Sequence, residues 1–531
     1  MLLKNRTHTV VVNSFISFLT ILIQIILGFI VRKVFINELG VTYLGYHSVF
    51  TNILQFLNLA ELGIGVAITS FLYEPLSNNE RSKINALMSI YKQFYSFVAF
   101  SVLSIGAVVS LFLPIIISDY SCSLFVLEFY YFIFLLGAVS SYFVAYKRVL
   151  LIADQRSYFI NFIDTILFIL ISICQIIVLV YYESFSIFLF LQIIRNIIAN
   201  IVLSYYVDKN YTLNLYNYDN NTKESYKRSI KNFIKDVFVS RIGAAIFYGS
   251  DSIILSIFKG VVTVGYYSNY ALIITQLNSV VGQVLSSIQS TFANYLYSDV
   301  SLESKYKMTQ NYLFANFYIA NVCFILFIHL VQPFICIVFG KNMLLSLNTV
   351  YLLGITVYLG ILLQFPSQIF VIFKLFKMDK YVILCSMSIN IILSTFLVIK
   401  IGINGVIIGT IVASFFYIIF RYLIIFRFVF HMTVLLIYKK LILYFLSSSC
   451  CLFYSYYIMS ANIYELTSFQ TLFICIAGGS FALSFPFVIF YKTDEFKFLV
   501  LKFLKNKFFL SKVAIYSLFI SSLLISLLIC N

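Results

Sequence analysis

Tryptophan is absent from this 531-residue chain, and charged residues make up only 11% of it. A soluble domain of this length needs far more charge than that, so the composition excludes one. The apolar runs are continuous rather than alternating, and each is about 20 residues long, the length of a helix that crosses hydrocarbon. With 62% apolar residues, the chain is predicted to be an all-α polytopic membrane protein.

The motifs of the common enzyme classes are also missing. The sequence contains no nucleotide-binding P-loop, no H-E-x-x-H pair and no C-x-x-C pair. Its four histidines are scattered along the chain and form no local cluster. The sequence therefore predicts neither an enzyme nor a metal or cofactor site.

Apolar runs predict fourteen membrane spans, with the run 513–530 as a fifteenth if it crosses. The first run is too long for the apolar core of a signal peptide and is interpreted as the first span. In chain order the predicted spans are 10–34, 44–70, 93–117, 123–146, 158–181, 185–206, 233–257, 266–295, 311–338, 347–372, 379–399, 402–426, 434–459 and 467–490.

The net charge of +16 invites a nucleic-acid interpretation, but the distribution of charge argues against it. When the N-terminus is placed in the cytoplasm, most of the 36 Lys and Arg residues fall in alternate segments on the cytoplasmic side. The charge thus reports membrane topology and attraction to anionic lipids, and no nucleic-acid partner is expected. The predicted location is the bacterial inner membrane.

A short string occurs in both halves of the chain, 220 residues apart. Residues 40–58 and 260–278 share Gly, Val, Gly, Tyr, Ser, Ile, Leu and Asn at the same places. Such a match can arise by chance in an apolar sequence, but both copies follow the first span of their half. We therefore expect an internal duplication, as in transporters built from two similar bundles.

Duplication and topology together predict the domain organisation. Two six-helix lobes would enclose a cavity that opens inward or outward, and two extra helices and a basic tail would follow. The predicted divisions are an N-lobe at 1–206, a cytoplasmic connector at 207–232, a C-lobe at 233–427, spans thirteen and fourteen at 428–490, and the tail with its extra apolar segment at 491–531.

Ionisable residues inside spans are costly and are therefore functional candidates. Each can instead be a structural ion pair or a side chain that reaches the membrane surface. Asp164 and Arg195, on neighbouring predicted helices, could neutralise one another. The candidates are Glu61, Asp164, Arg195, Arg241 and Asp251.

Amides in the spans form a second group of candidates. Asn269, Gln276 and Gln283 are seven residues apart, which places them on one face of a helix. Gln55 and Asn58 stand at the positions that the repeat aligns with Thr275 and Asn278. These amides can either bond neighbouring helices or line a cavity and accept sugar hydroxyls. Pro366 in the tenth span predicts a kink, which is either a hinge or a tolerated bend.

Three segments resemble the polysaccharide-transporter branch of the multidrug/oligosaccharidyl-lipid/polysaccharide exporter superfamily, the branch of the O-antigen flippases and their capsule relatives. They are Asn37-Glu38-Leu39-Gly40-Val41 with Leu44-Gly45, Ala60-Glu61-Leu62-Gly63-Ile64-Gly65, and Tyr248-Gly249-Ser250-Asp251-Ser252-Ile253-Ile254. The resemblance implies a flippase that carries undecaprenyl-pyrophosphate-linked oligosaccharide across the membrane by alternating access. It also implies a lipid-tail groove beside spans thirteen and fourteen.

Under that resemblance, Arg241, Arg32 and Lys33 are the expected cationic partners of the pyrophosphate. Asp251 and Glu61 would exchange a coupling ion, H⁺ or Na⁺, and a polysaccharide polymerase complex is a candidate partner. A drug or cation exporter of the same superfamily is the nearest alternative. An O-antigen polymerase is the enzymatic alternative, although the short predicted outer loops do not favour it.

Overall fold

The structure is a computed structural model. It describes residues 2–57, 64–154, 156–211, 213–215, 220–373, 375–431, 434–460 and 489–498. Predicted span fourteen lies outside this described part except for its last two residues, and the apolar segment 513–530 lies wholly outside it.

The described residues form helices joined by short turns, and none of them forms a strand, which confirms the all-α prediction. The helices are α1 Leu2–Leu57, α2 Ile64–Ser77, α3 Arg81–Ser110, α4 Leu113–Ile116, α5 Leu124–Ala153, α6 Ser157–Tyr182, α7 Phe185–Asn210, α8 Asn220–Lys259, α9 Val261–Tyr297, α10 Leu302–Phe339, α11 Leu347–Leu362, α12 Gln364–Ile372, α13 Phe376–Ile401, α14 Ile403–Ile424 and α15 Val434–Ser460.

Nine helical segments within the described residues are long and apolar enough to cross a membrane. They are Thr20–Leu57, Arg81–Ser110, Leu124–Ala153, Ser157–Tyr182, Phe185–Asn210, Leu302–Phe339, Leu347–Ile372, Lys377–Ile401 and Ile403–Val429. Helices α8, α9 and α15 cover predicted spans seven, eight and thirteen but are not among the nine. The chain is thus a multi-pass membrane protein, as its sequence predicts.

Glycines form the turns on the predicted outer side. Gly40 has φ 84° and breaks α1 at the predicted boundary between spans one and two. Gly260 has φ 83° and separates α8 from α9. A side chain strains this left-handed conformation, so glycine is favoured at both turns. The two glycines are the first residues of the two repeat copies, and their matching conformation supports the duplication.

The chain divides into two compact units, Met1–Ser268 and Asn269–Asn531. In the first unit α1 packs against α6 and α8, and α5 packs against α3 and α7. Helix α8, which corresponds to predicted span seven, therefore belongs to the first unit, and the division falls inside α9. The predicted lobe boundaries at 206 and 233 stay a prediction.

The described start of the connector is attached to the first unit. The Tyr211 hydroxyl donates to the carboxylate of Asp154. The same carboxylate forms an ion pair with Arg156, with Nε 2.9 Å from Oδ2. Burial, followed by the bond to Asp154, raises the pKa of Tyr211 above its ordinary value. The Arg156 guanidinium also donates to the Tyr206 hydroxyl at 3.2 Å. This end of the connector is therefore fixed on α7 and the turn before α6.

In the second unit α13 packs against α14, and α11 packs against both α10 and α14. Gly409 allows α14 to approach Ser394 of α13 so closely that an added methyl group would overlap the Ser394 side chain. Small residues are the usual means by which membrane helices approach closely. Helix α15 packs against α10, where the Tyr444 ring stacks on Phe317 with centroids 4.2 Å apart.

A buried ion pair joins α13 to α14. Arg421 Nη2 lies 2.8 Å from Asp379 Oδ2, and Nε lies 2.9 Å from Oδ1, so the pair is bidentate. Arg421 also donates to the Ser367 hydroxyl of α12, and its guanidinium stacks on the Tyr417 ring at 4.1 Å. The cluster thus connects three helices. Only its members' separate charges were visible in the sequence.

We expect Arg421→Met to destabilise the protein strongly, because it leaves the Asp379 carboxylate buried without its partner, at a cost of about 3–5 kcal/mol. The measurement is thermal unfolding in detergent. Arg427→Met is the matched control, because Arg427 is exposed near the same helix end. Replacing both partners, in Arg421→Met with Asp379→Leu, should recover part of the loss. Equal melting temperatures for Arg421→Met and Arg427→Met would contradict a stabilising role of the Arg421–Asp379 pair.

Candidate functional site

Four polar side chains from four helical segments meet at one level of the first unit. Arg32 of α1 donates to the Ser268 hydroxyl of α9 and interacts electrostatically with His47. The His47 ring nitrogen Nε2 lies 3.4 Å from Gln192 Nε2 of α7. We call Arg32, His47, Gln192 and Ser268 the Arg32 layer. At 1.5 Å per residue, each lies about 10–12 Å along its helix from the turn on the predicted outer side.

The Arg32 layer contains one cation predicted from the sequence and three residues that were missed. Ser268 is buried, and its hydroxyl donates to the Gly265 carbonyl at 2.8 Å. Lys33, the other predicted cation of this helix, is exposed. A guanidinium has a fork of donors that suits phosphate oxygens. The layer could have been found by asking which polar residues stand equally far from a turn.

Helix α9 carries a polar face that begins at the Arg32 layer. Thr275, Ser279, Gln283 and Ser286 are all exposed, and at 100° per residue they lie within a sector of about 80° that also contains Ser268. We call these five residues the α9 stripe. An exposed amide such as that of Gln283 is costly in hydrocarbon, so this face is suited to a water-filled path.

The α9 stripe differs from the stripe expected from the amides alone. Asn269 is fully buried and Gln276 half-buried, so only Gln283 of the three predicted amides is exposed. Gln55 of α1 is exposed as well, and the repeat aligns it with exposed Thr275. Asn278 is in a helix-to-helix contact: the side-chain amide of Gln364 donates to its backbone carbonyl at 3.0 Å and to its Oδ1 at 3.3 Å.

Three charged residues form a triad in the first unit, in the half predicted to lie towards the cytoplasm. Arg148 of α5 binds both oxygens of Asp164 on α6, at 2.8 and 3.0 Å. Arg195 of α7 stacks on Phe168 at 5.7 Å and interacts electrostatically with Asp164. The close partner of Asp164 is thus Arg148 rather than Arg195. The three groups together carry one excess positive charge.

Asp251 is a buried carboxylate of α8. Its Oδ2 accepts the Tyr267 hydroxyl of α9 at 3.4 Å, and the neighbouring residues Ser250 and Ser252 are also buried. The Tyr267 hydroxyl thus joins α9 to this carboxylate of α8.

The kink at Pro366 has its own structural partner. Proline has no N–H to donate to the carbonyl four residues earlier, which here is that of Leu362. The buried amide of Asn316 donates to this carbonyl instead, at 3.2 Å. A side chain of α10 therefore binds the carbonyl that is left free at the break between α11 and α12. Among the described residues, this arrangement fits a stable bend better than a hinge.

Three sequence candidates cannot be placed. Glu61 and Asn58 lie outside the described residues, and the side chain of Arg241 does too, although its helix α8 is described.

Comparison with known proteins agrees with the fold. Two similar solved structures are a multidrug resistance MATE family transporter of the MOP superfamily in an inward-facing conformation and the lipid II flippase MurJ in an inward closed conformation. The MATE transporter has TM-score 0.61 and 11% identity, over 77% of this chain and 97% of that one. MurJ has TM-score 0.59 and 16% identity, over 91% and 99%.

A MOP superfamily transporter from Pyrococcus furiosus is also similar, with TM-score 0.52 and 12% identity over 80% and 96% of the two chains. No curated protein matches the chain in sequence. At these identities the structural matches establish the fold, which is that of the MOP transporters. The model of a family described as polysaccharide biosynthesis protein matches residues 10–292, more than half of the sequence, and the chain belongs to that family.

Proposed function

We propose that the protein is a flippase for undecaprenyl-pyrophosphate-linked oligosaccharide, the repeat unit of an O-antigen or a capsule. It would move this lipid from the cytoplasmic to the outer leaflet of the bacterial inner membrane by alternating access, with its N-terminus in the cytoplasm. The observation that carries the proposal is the α9 stripe, a polar face of one helix whose first residue, Ser268, accepts a hydrogen bond from the Arg32 guanidinium.

The chemistry of the substrate fits this arrangement in two parts. Sugar hydroxyls need donors and acceptors along the whole path, and the α9 stripe offers hydroxyls and an amide from Ser268 to Ser286 of one helix. The diphosphate needs a cation where water is scarce, and Arg32 offers charge-assisted, forked hydrogen bonds there. Membrane lipids would surround the chain, and a polysaccharide polymerase complex is the expected consumer of the product.

A drug or cation exporter is the second candidate, because the similar MATE structure is titled as a multidrug transporter. Such a protein needs a carboxylate free to attract a cation. In the first unit, however, Asp164 is held by Arg148, and the triad keeps one excess positive charge. The charges of this triad therefore favour an anionic substrate over a cationic one, whereas buried Asp251 is a carboxylate that a cation exporter could use.

The first test is complementation of a bacterium that lacks its own polysaccharide flippase, followed by assay of the lipid-linked oligosaccharide that accumulates. We expect wild type to clear the lipid and Arg32→Gln to reduce its export about tenfold or more, since charged hydrogen bonds contribute about 1.5–3 kcal/mol. Lys259→Gln is the matched control, an exposed cation near the same membrane face. Equal export by both variants would remove Arg32 from the site.

A second prediction concerns the α9 stripe. Ser279→Leu adds an apolar side chain to the polar face, and we expect it to lower export severalfold while expression stays normal. Val284→Leu is the matched control, because Val284 is 49% exposed on roughly the opposite face of the same helix. If the Val284 variant were the more defective, the stripe would face lipid and the proposed path would be wrong.

A third prediction separates the two buried carboxylates. We expect Asp251→Asn to abolish the dependence of export on a proton or sodium gradient, because the amide cannot exchange an ion. Asp164→Asn should instead destabilise the first unit by leaving Arg148 unpaired. Transport into vesicles under imposed pH and sodium gradients measures the first effect, and thermal unfolding measures the second. Retained gradient dependence in Asp251→Asn would exclude it as the coupling residue.

A further inference from the structure

The outer ends of the two repeat copies cross at a pair of glycines. A methyl group added to Gly45 would overlap the carbonyl oxygen of Val261, and one added to Gly265 would overlap the carbonyl of Val41. The repeat aligns Gly45 with Gly265 and Val41 with Val261, so the contact is reciprocal. Each copy gives a glycine to the backbone of the other, and the two helices approach as closely as small residues allow.

A carboxylate fastens the same end of α9. Both Asp119 oxygens accept the backbone N–H of Val261, at 2.8 and 3.0 Å. Asp119 lies between α4 and α5, on the predicted outer side. Its negative charge faces the N-terminus of α9, where the helix dipole and the unpaired N–H groups favour an anion.

The bond between Arg32 and Ser268 is a third attachment, two turns further along α9. The three attachments involve the same eight residues, Val261–Ser268, and the first compact unit ends at Ser268. We name this set the outer clasp. It consists of Val261, Gly265 and Ser268 on α9, held by Arg32, Val41, Gly45 and Asp119.

We infer that the outer clasp is a substrate-operated latch. While Arg32 is bound to Ser268, the first two turns of α9 stay attached to the first unit. A diphosphate that reaches Arg32 along the α9 stripe competes with the Ser268 hydroxyl for the guanidinium and weakens one of the three attachments. This inference rests on the proposed function for the identity of the anion, but not for the existence of the clasp.

The physical basis of the latch is a difference between two partners of one guanidinium. A serine hydroxyl is a neutral acceptor with a single oxygen, whereas a diphosphate accepts two forked, charge-assisted bonds. A ligand shifts a conformational equilibrium by its difference in affinity for the two states. The glycine crossing itself contains no ion pair, so once Arg32 has changed partner the glycine contacts and the hydrogen bond to Asp119 alone hold this end of α9.

The test uses the accessibility of a thiol placed in the clasp. Val264 lies inside the segment and is fully buried, so Val264→Cys should react slowly with a water-soluble maleimide. The full-length protein is placed in nanodiscs, where the reagent reaches both faces, and mass spectrometry follows this thiol. We expect Gly45→Ala and Gly265→Ala each to raise the labelling rate about tenfold, the factor that a 1.4 kcal/mol shift produces.

Gly28→Ala is the matched control, because a methyl group at Gly28 would meet no atom within 4 Å. Asp119→Asn tests the clasp without adding volume, and we expect a smaller increase of severalfold. Labelling rates equal to the control for Gly45→Ala, Gly265→Ala and Asp119→Asn would overturn the clasp. If the glycine variants fail to fold, the Asp119 variant alone decides.

The lipid arm of the experiment tests the trigger. Undecaprenyl diphosphate in the nanodisc should raise labelling severalfold, and undecaprenol, which lacks the diphosphate, should not. Arg32→Gln should raise labelling without lipid and remove the response to lipid. No response in the wild type would overturn the trigger. If the glycine variants raise the labelling rate but the wild-type protein exports no oligosaccharide, the clasp is supported and the flippase proposal is rejected.

Discussion

A polar group inside hydrocarbon is costly without a partner, and this constraint explains the ion pairs and the helix break within the two units. Arg148 and Asp164 neutralise one another within the first unit, and Arg421 and Asp379 do so within the second. The same rule reaches the backbone at Pro366, where Asn316 binds the carbonyl that proline leaves free. The exposed polar groups of the α9 stripe, by contrast, form a surface suited to water.

The two copies of the repeated string have matching turns and matching contacts. Gly40 and Gly260 make equivalent turns, and Gly45 and Gly265 make equivalent contacts with each other's copies. This reciprocity is the property of a two-fold interface, in which residue i touches j and j touches i. The first turns of α9 and the segment of α1 after Gly40 therefore make equivalent contacts within the first unit.

Much of the fold could be predicted from the sequence, because long apolar runs and glycine-bearing turns are local signals. The sequence shows a boundary between two apolar runs near Gly40, and the repeated string places Gly260 at the equivalent position. The rotation of each helix was not visible in the sequence. Heptad spacing showed that Asn269, Gln276 and Gln283 share a face, but packing in the second unit buries Asn269 and leaves Gln283 exposed. The exposed face therefore runs through Thr275 and Ser279 instead.

The partners of charged residues were equally hidden, because they depend on which helices become neighbours. From the sequence alone, Asp164 could pair with Arg195 of the next predicted span. In the structure Arg148, from the preceding helix, reaches it first. His47 carried no signal because a single histidine in an apolar run has no motif. Its position beside Arg32 follows only from the kink at Gly40, which brings the two segments of α1 together.

The contrast between the ion pairs and the outer clasp has a thermodynamic reason. A bidentate pair such as Arg421 with Asp379 costs about 3–5 kcal/mol to break from one side, which suits helices that must stay together. A hydrogen bond between membrane helices contributes only about 0.6 kcal/mol on average. The outer clasp combines glycine contacts with hydrogen bonds from Arg32 and to Asp119 and contains no bidentate ion pair, so a charged ligand of Arg32 can weaken it. The ion pairs therefore hold their helices together more strongly than the outer clasp holds the start of α9.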